Sequence, residues 1–365
     1  MNSKAKSITV TLVFLIWVFG FFIWGLIAHD SDISLSERRK LQTFPELNLK
    51  NLSSGSFMSE FEKYSADQFP FRESFRRIKS IGDYFLFNQS DSNGIYLYNG
   101  YASSLEKEIN EESLDYAAGR MRLIYESFLK DKANGVYLSV IPDKNFFMKK
   151  SGAPTLDYEA LASKMREKTD FLEYIDIFPY LELSDYYKTD THWRIEKIAP
   201  AADALAKALG VSLSMEYEVR DIGTPFYGVF YGQSALPMPG EKIYYIWNDA
   251  FDSVSVFNME TGGYSPIYDL DRASGSDPYE VYLSGPRSMM VIENPNASTD
   301  KELVIIRDSF GSSLAPYLIE AYKKITLLDI RYLPTPMLGR FVDFEGSDVL
   351  FIYSAMILNS SETLT

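Results

Sequence analysis

The sequence predicts an α/β fold in which helices flank a parallel sheet. Short apolar runs without polar alternation are typical of parallel strands buried on both faces, and Val136–Ile141 and Leu303–Ile306 have this form. Between such runs lie helical patterns, of which Glu111–Leu129 is the clearest, with its apolar residues along one side. This alternation predicts a mainly parallel sheet covered by helices, with functional residues beyond the carboxyl ends of the strands.

The composition narrows the classes of function. With 365 residues, 46% of them hydrophobic, the chain can form one large domain with accessory segments. The net charge of -14 and the lack of a large Lys/Arg cluster argue against nucleic-acid binding. There is no cysteine, which excludes disulfides, thiolate metal sites and cysteine nucleophiles. Two histidines without a metal-binding spacing, and no phosphate-binding glycine motif, predict neither a metal nor a cofactor.

The N-terminal segment predicts a membrane anchor. Residues 7–28 carry no charge and are long enough to cross a bilayer as a helix. Lys4 and Lys6 precede this segment, so the positive-inside rule places the N-terminus in the cytoplasm and the body outside. A cleaved signal peptide is the alternative, but the apolar run is long for one and no small-residue cleavage site follows it. We therefore expect a single-pass protein of the cell membrane with an extracytoplasmic body.

The expected domain division follows from changes in composition and residue pattern along the chain. Residues 1–30 form a cytoplasmic tip and the transmembrane anchor, 31–75 an extracytoplasmic linker, and 76–365 the α/β domain. Within that domain, residues 211–300 read as a β-rich insertion, because aromatic runs alternate there with Gly, Pro and Asp. A sugar-binding groove and ordinary core packing both explain these aromatic residues.

The remaining elements of the α/β domain follow from periodicity and from glycine and proline at their ends. The predicted strands are Ile95–Tyr98, Val136–Ile141, Tyr174–Ile177, Leu303–Ile306, Ile325–Ile330 and Asp348–Tyr353. The predicted helices are Glu111–Leu129, Asp157–Phe171, the segment from Trp193 to Leu209, and Ser312–Lys323.

One histidine is available for acid–base chemistry in the folded body. His29 lies where the predicted anchor ends, so His192 is the remaining imidazole that can act near neutral pH. Asp190 stands two residues earlier, and in an extended segment both side chains project from the same face. A carboxylate in that position can orient the ring and stabilise its imidazolium, as the base of a serine nucleophile requires.

A serine after the apolar run Leu303–Ile306 is the candidate nucleophile. Ser309 stands between this strand and a helix, where the N–H groups of Phe310 and Gly311 would point toward a developing oxyanion. Taken alone, Ser309 is better explained as a helix N-cap, and a lone His192 as a structural histidine. The combination with Asp190, each group at an element end, predicts a serine triad.

The stretch Asp190-Thr191-His192-Trp193 resembles the motif of the DHHW family of bacterial exported proteins. The resemblance also covers Phe44-Pro45, Asp67–Arg72, Tyr227–Leu236, Asp277-Pro278-Tyr279 and Arg307–Pro316. These proteins are similar to the SGNH-hydrolase-like domains of alginate O-acetyltransferases, in which an Asp-x-His pair precedes the serine in the chain. The resemblance implies an SGNH-hydrolase-like sheet, with Ser309 as nucleophile, His192 as general base and Asp190 as its orienter.

The resemblance further implies a membrane-anchored O-acyltransferase. An acetyl group would pass through an acyl-serine to an exported cell-envelope polysaccharide, and a membrane-bound O-acyltransferase partner would supply it. Two alternatives stay open. The same triad would serve a polysaccharide acetylesterase with water as acceptor, and a non-catalytic envelope scaffold would retain Ser309 as a cap and His192 as a core residue.

Overall fold

The computed structural model describes residues 3–105 and 108–365, which divide into two units. The N-terminal unit consists of the residues up to Asn93 together with Tyr231–Pro237. The second unit consists of Gly94–Phe230 and Met238–Thr365. Segment 31–75 therefore belongs to the same unit as the N-terminal helix. The domain boundaries at residues 30 and 75 stay predictions.

The N-terminal unit is mainly helical. Its first helix, α1, contains the stretch Lys4–Gly25, which is long and apolar enough to cross a membrane. The elements of this unit are α1 (Ser3–Ile27), β1 (Ile33–Ser34), β2 (Arg39–Lys40), α2 (Leu49–Ser54), α3 (Ser56–Asp67), α4 (Arg72–Ile81) and a π-helical turn (Gly82–Leu86). The predicted apolar N-terminal helix is thus present.

A cluster of ion pairs lies inside this unit. The Arg39 guanidinium donates two hydrogen bonds to the Asp67 carboxylate, at 2.6 and 2.9 Å. Arg72 and Arg76 both contact the Glu37 carboxylate, with N–O distances of 2.6 and 3.3 Å. The hydrogen bonds from Arg39 lower the pKa of Asp67 to about 2, against a partial desolvation that acts in the opposite direction.

The second unit carries the sheet and its helices. Its strands are β3 (Ile95–Tyr98), β4 (Tyr101–Ser104), β5 (Gly135–Ile141), β6 (Glu173–Tyr174), β7 (Glu218–Phe226), β8 (Glu241–Trp247), β9 (Ser255–Asn258), β10 (Gly263–Ser265), β11 (Met289–Glu293), β12 (Glu302–Arg307), β13 (Lys324–Leu328) and β14 (Asp348–Ser354). Its helices are α5 (Glu111–Ile124), α6 (Tyr158–Lys168), α7 (Ala199–Ala208), α8 (Val229–Ser234, which continues into the other unit), α9 (Phe310–Leu318) and α10 (Ala355–Asn359).

The main sheet has eight strands in the order β10-β9-β11-β13-β12-β14-β5-β6. The five strands from β13 to β6 are parallel, whereas β11, β9 and β10 add antiparallel pairs at the other edge. From β12 the chain runs to β13 on one side and then to β14 on the other. The carboxyl ends of β12 and β14 therefore flank a topological switch point, where α/β proteins place their sites.

Both faces of the sheet are buried. On β12, Ile305 points into one core cluster with Leu205 of α7 and Leu314 of α9. Its neighbour Ile306 points into a second cluster with Leu114 of α5. Because the two clusters lie on opposite faces, the strand has to be apolar along its whole length. The predicted α/β fold with a mostly parallel sheet and flanking helices is confirmed.

The predicted β-rich segment, residues 211–300, does not form a separate insertion. Strands β7 and β8 form their own two-stranded sheet, but β9, β10 and β11 extend the main sheet. The physical reason is that β13 leaves an open edge, and β11 pairs with it over five residues from Met289↔Leu328 to Glu293↔Lys324. The predicted strand Tyr174–Ile177 is shorter and displaced, since β6 covers only Glu173–Tyr174.

The ion-pair cluster makes the stability of the N-terminal unit sensitive to acid. The pKa of Asp67 in the fold, about 2, lies below its ordinary value of 3.8. Its stabilising contribution is therefore present above about pH 4 and is lost as the pH falls through about 2. We expect Asp67→Asn in the full chain to flatten acid unfolding between these values, as followed by far-UV circular dichroism. The control Asp170→Asn removes a solvent-exposed carboxylate and should leave the profile unchanged. Coinciding profiles of Asp67→Asn and the unaltered chain would contradict the assignment.

Candidate active site

Ser309 stands at the carboxyl end of β12, in a turn that Asp308 holds. One oxygen of the Asp308 carboxylate accepts from the N–H of Phe310 at 3.0 Å, and the other from the N–H of Ser354 at 2.8 Å. Asp308 thereby ties the turn to the end of the neighbouring strand β14. Ser309 occupies the N-cap position of α9, but its side chain makes no capping hydrogen bond. Its hydroxyl is directed elsewhere.

That hydroxyl faces His192, across 117 positions of sequence. The His192 Nε2 and the Ser309 Oγ are 2.7 Å apart. On the other side of the ring, the His192 Nδ1 is 2.6 Å from the Asp190 Oδ1. The structure thus brings the three predicted triad residues into one hydrogen-bonded series.

The ionised form of Asp190 decides which ring nitrogen of His192 donates a hydrogen bond and which accepts one. An ionised carboxylate only accepts hydrogen bonds, so the His192 Nδ1 donates its N–H to Asp190. The Nε2 of the neutral ring is then an acceptor and takes the hydrogen bond from the Ser309 hydroxyl. This is the protonation state that a general base needs before a serine attacks.

A short hairpin presents the histidine. Tyr186 and Trp193 form an antiparallel bridge, and the Tyr187 N–H donates to the His192 carbonyl at 3.1 Å. Asp190 lies at the tip, where its Oδ1 also accepts the His192 N–H at 3.1 Å. The helix expected to follow His192 directly begins only at Ala199, because a 3-10 turn intervenes.

Backbone N–H groups at the start of α8 hold the hairpin tip. The Val229 N–H donates to the Asp190 Oδ2 at 2.9 Å. The N–H groups of Gly228 and Phe230 donate to the Thr189 hydroxyl and carbonyl, both at 3.0 Å. Position 228 requires glycine, because a Cβ there would overlap Asp190 and the Thr189 carbonyl. The segment after β7 thus positions the carboxylate of the candidate triad.

Two charged side chains hold the same loop from other directions. The Glu241 carboxylate accepts from the N–H groups of Lys188 and Thr189, both at 2.8 Å. The fully buried Lys144 Nζ donates to the carbonyls of Tyr187, Lys188 and Asp190 at 2.7, 3.1 and 2.6 Å. Burial lowers the pKa of Lys144 to about 7, while the nearby Asp190 and Glu241 act in the opposite direction. Three carbonyl acceptors match the three donors of its ammonium form.

Aromatic rings fix the orientation of the imidazole. The Tyr279 ring stacks on His192 with centroids 3.8 Å apart and an interplanar angle of 11°. The Tyr279 hydroxyl and the Trp193 Nε1 both contact the Ser313 Oγ at 2.7 Å. Ser313 in turn donates to the Phe310 carbonyl at 3.2 Å. Burial raises the pKa of Tyr279 well above its ordinary value, so its hydroxyl stays protonated.

The two predicted oxyanion donors are engaged within the turn. The Phe310 N–H donates to the Asp308 carboxylate, and the Gly311 N–H to the Asp308 carbonyl at 3.2 Å. Gly311 is needed for another contact, because a Cβ there would lie 2.7 Å from the buried Arg307 side chain. The assignment of Phe310 and Gly311 to an oxyanion stays a prediction, and it requires these N–H groups to leave Asp308.

Solvent reaches the triad through the serine. Asp190 is fully buried and His192 is 9% exposed, whereas Ser309 is partly exposed. A substrate would therefore meet the hydroxyl first. Over residues 3–105 and 108–365 there is no group of three or more His, Asp or Glu that could hold a metal ion.

Several residues that build the site were not predicted. Lys144 and Glu241 carry no sequence signal of their own, because each acts through a contact with a distant segment. A partial signal existed for Val229, Tyr279 and Ser313, since all three lie in stretches that carry the family resemblance.

The fold and the site together define a class. A parallel α/β sheet with a hydrogen-bonded serine, histidine and aspartate at the carboxyl edge of its strands is the arrangement of serine-triad α/β proteins. The family model described as DHHW protein matches residues 168–328, a span that includes all three triad residues. The resemblance to the DHHW family is thereby confirmed.

Solved structures agree with this fold. A DHHW family protein from Eubacterium siraeum superposes with a TM-score of 0.59 at 18% identity, over 75% of this chain and 95% of that one. PatB1 of Bacillus cereus, in a structure with a sulfonyl adduct, superposes with a TM-score of 0.54 at 18% identity, over 72% of this chain and 97% of that one. The O-acetyltransferase domain of Pseudomonas putida AlgJ is a more distant match, with a TM-score of 0.46 at 12% identity over 73% of this chain and 92% of that one, and it does not bear on the fold. No curated protein sequence matches the chain. At these identities the likeness to the first two structures concerns the fold.

The three hydrogen bonds of Lys144 predict a specific effect of its removal. Lys144→Met keeps most of the unbranched apolar stem but removes the ammonium donor from the buried carbonyls of Tyr187 and Asp190, at about 1–3 kcal/mol for each. We expect a lower free energy of unfolding and a changed resonance of the His192 Nδ1 proton, which NMR can assign because the chain has two histidines. The exposed Lys188→Met is the control, and His29 is the internal reference. An unchanged His192 resonance in Lys144→Met would refute the positioning role.

Proposed function

We propose that this chain is a membrane-anchored, SGNH-like O-acyltransferase that moves an acetyl group to an exported cell-envelope polysaccharide. The observation that carries the proposal is the series from Asp190 through His192 to Ser309, with contacts of 2.6 and 2.7 Å. A core histidine and a capping serine do not need this geometry. Ser309 makes no cap bond, and its partly exposed hydroxyl faces the His192 Nε2, which accepts a proton when an ionised Asp190 holds the Nδ1 hydrogen.

The first step forms an acyl-serine. As the Ser309 Oγ attacks the acetyl carbonyl carbon of the donor, its proton passes to the His192 Nε2. The buried Asp190 carboxylate stabilises the imidazolium that results. The bond between the acetyl carbon and the donor then breaks, and the leaving group takes the proton from His192. Ser309 is left as an acetyl ester and the imidazole is neutral again.

The second step transfers the acetyl group. A sugar hydroxyl enters next to the ester, and the His192 Nε2 takes its proton while its oxygen attacks the ester carbonyl. The Ser309 oxygen leaves and regains the proton from His192, which restores the starting state. With water as the acceptor, the same steps release acetate, so the acceptor alone separates a transferase from an esterase.

The membrane setting is part of the proposal. The apolar helix α1 would anchor the chain in the cell membrane in a single pass. Lys4 and Lys6 favour a cytoplasmic N-terminus, which would leave the body with Ser309 outside. A membrane-bound O-acyltransferase partner would deliver the acetyl group, and a polysaccharide would accept it.

Covalent capture tests the nucleophile. We expect phenylmethylsulfonyl fluoride to modify Ser309 in the full chain, detected by peptide mass spectrometry; the sulfonyl adduct in the PatB1 structure motivates this probe. His192→Ala should slow the modification by about 10²–10⁴-fold, because it removes the general base. His29→Ala is the matched control, since it removes the other histidine and should leave the rate unchanged. A folded chain whose Ser309 stays unmodified would favour the scaffold alternative.

Product analysis tests the acceptor. With an activated acetyl ester as donor, we expect the full chain to form acetylated oligosaccharide when envelope-type oligosaccharides are added. Ser309→Ala should form none, because the acyl-serine cannot arise. Acetate release at an unchanged rate, with no acetylated sugar, would contradict the transferase and support the esterase.

A further inference from the structure

The helix α4 and the π-helical turn after it expose an apolar face. Phe71, Ile78 and Phe85 are 56%, 67% and 63% exposed, and they recur at helical spacing. The other large apolar side chains exposed along this stretch are Phe69, Phe75, Ile81, Leu86 and Phe87. Single exposed apolar residues are ordinary on protein surfaces, but a continuous row of aromatic and aliphatic side chains marks an interaction surface.

The opposite face of the same helix is polar and points inward. Ser80 is buried, and Arg72 and Arg76 form the ion pairs with Glu37 described above. The Arg76 Nη2 also donates to the carbonyls of Gly232 and Gln233, at 3.0 and 2.9 Å. A helix on the surface of a water-soluble domain buries its apolar face instead. The helix α4 therefore exposes its apolar face and turns its polar face inward, the reverse of the usual arrangement.

The apolar face is continuous with the candidate membrane span. The Phe21 ring of α1 stacks on Phe69, with centroids 5.5 Å apart, and meets Phe75 edge-on at 5.8 Å. One turn further along α1, Trp24 meets Phe71 at 5.1 Å. Any medium that surrounds this part of α1 therefore also reaches the start of the exposed row.

An open groove lies beside these contacts. Its volume is about 710 Å³, and α1 and α3 line it with Phe21, Phe22, Gly25 and Phe61, among others. Four charged side chains of this unit, Glu37, Asp67, Arg72 and Arg76, are largely buried in the ion-pair cluster. Arg77 and Lys79 are exposed at the flank of α4, where long cationic side chains can reach lipid head groups.

We propose that α4 and its π-helical turn lie on the membrane surface, with the apolar row in the region between head groups and acyl chains. An amphipathic helix with basic residues at its polar flank has the character of such interfacial helices. The groove beside α1 would take up lipid acyl chains. The N-terminal unit would then contact the bilayer through a span and a surface helix. This placement rests on the proposed membrane anchoring by α1, but not on the chemistry proposed at Ser309.

Site-specific spin labels test this placement. The chain has no cysteine, so single cysteines at Ile78 and Phe85 can carry a nitroxide in the full chain. The control is Tyr264→Cys in the other unit, where the native side chain is 75% exposed. The proteins are reconstituted into vesicles of phosphatidylcholine and phosphatidylglycerol. The accessibility of each label to oxygen and to a water-soluble nickel chelate is then measured by electron paramagnetic resonance.

We expect the labels at Ile78 and Phe85 to be accessible to oxygen and protected from the nickel chelate, and the label at Tyr264 to show the reverse. Labels at Leu86 and Phe87 serve if either first variant loses its helical circular dichroism. Flotation of the vesicles shows whether the chain is attached to them, which tests the proposed anchoring by α1 separately. Nickel accessibility at Ile78 and Phe85 in a chain that floats with the vesicles would overturn the proposal. Protection that arises only in native membranes would indicate a protein partner and would also overturn it.

Discussion

The contact between the Asp190 carboxylate and the His192 ring is the interaction on which the rest of the site depends. A fully buried carboxylate is costly unless hydrogen bonds compensate for the lost water. Here the compensation comes from His192 itself and from the Val229 N–H, while Lys144 and Glu241 hold the loop around it. Distant segments of the chain therefore have to fold correctly before this carboxylate is stable in its place.

Ser309 is supported differently. Its position follows from the parallel strands, because Asp308 ties the turn after β12 to the last residue of β14. The sheet thus fixes the serine. Asp190 and His192 lie instead on a hairpin that contacts from Val229, Lys144 and Glu241 hold in place. The Ser313 hydroxyl links the two supports, since it contacts both Trp193 of the hairpin motif and the Phe310 carbonyl of the turn. This gives the tryptophan of the Asp-x-His-Trp stretch a physical role.

The sequence was informative where local chemistry leaves few choices. One histidine in the body and a serine after a buried strand sufficed to select residues that the structure brings within hydrogen-bonding distance. The four central parallel strands, β5, β12, β13 and β14, could be predicted because burial on both faces demands continuous apolar runs. The antiparallel addition of β9 to β11 could not, because which open edge a short strand joins is decided by pairing between distant residues.

The surroundings of some side chains also could not be predicted from the sequence. A lysine normally lies in water, so the buried Lys144 with three carbonyl partners has no sequence signature. The periodicity of α4 shows two faces but not which of them points outward. In both cases the polarity of the environment, rather than the residue pattern, decides the outcome.

The place of β14 has a consequence for the order in which the protein can assemble during synthesis. This strand spans residues 348–354, yet it lies between β12 and β5 in the middle of the sheet. Until it arrives, β5 and β12 have no common neighbour, and Asp308 lacks the Ser354 N–H that completes its turn. The turn that carries Ser309 therefore reaches its final form only after the chain has been synthesised through Ser354. A chain synthesised only as far as β13 would lack both the strand beside β12 and the hydrogen bond that holds the turn at Ser309.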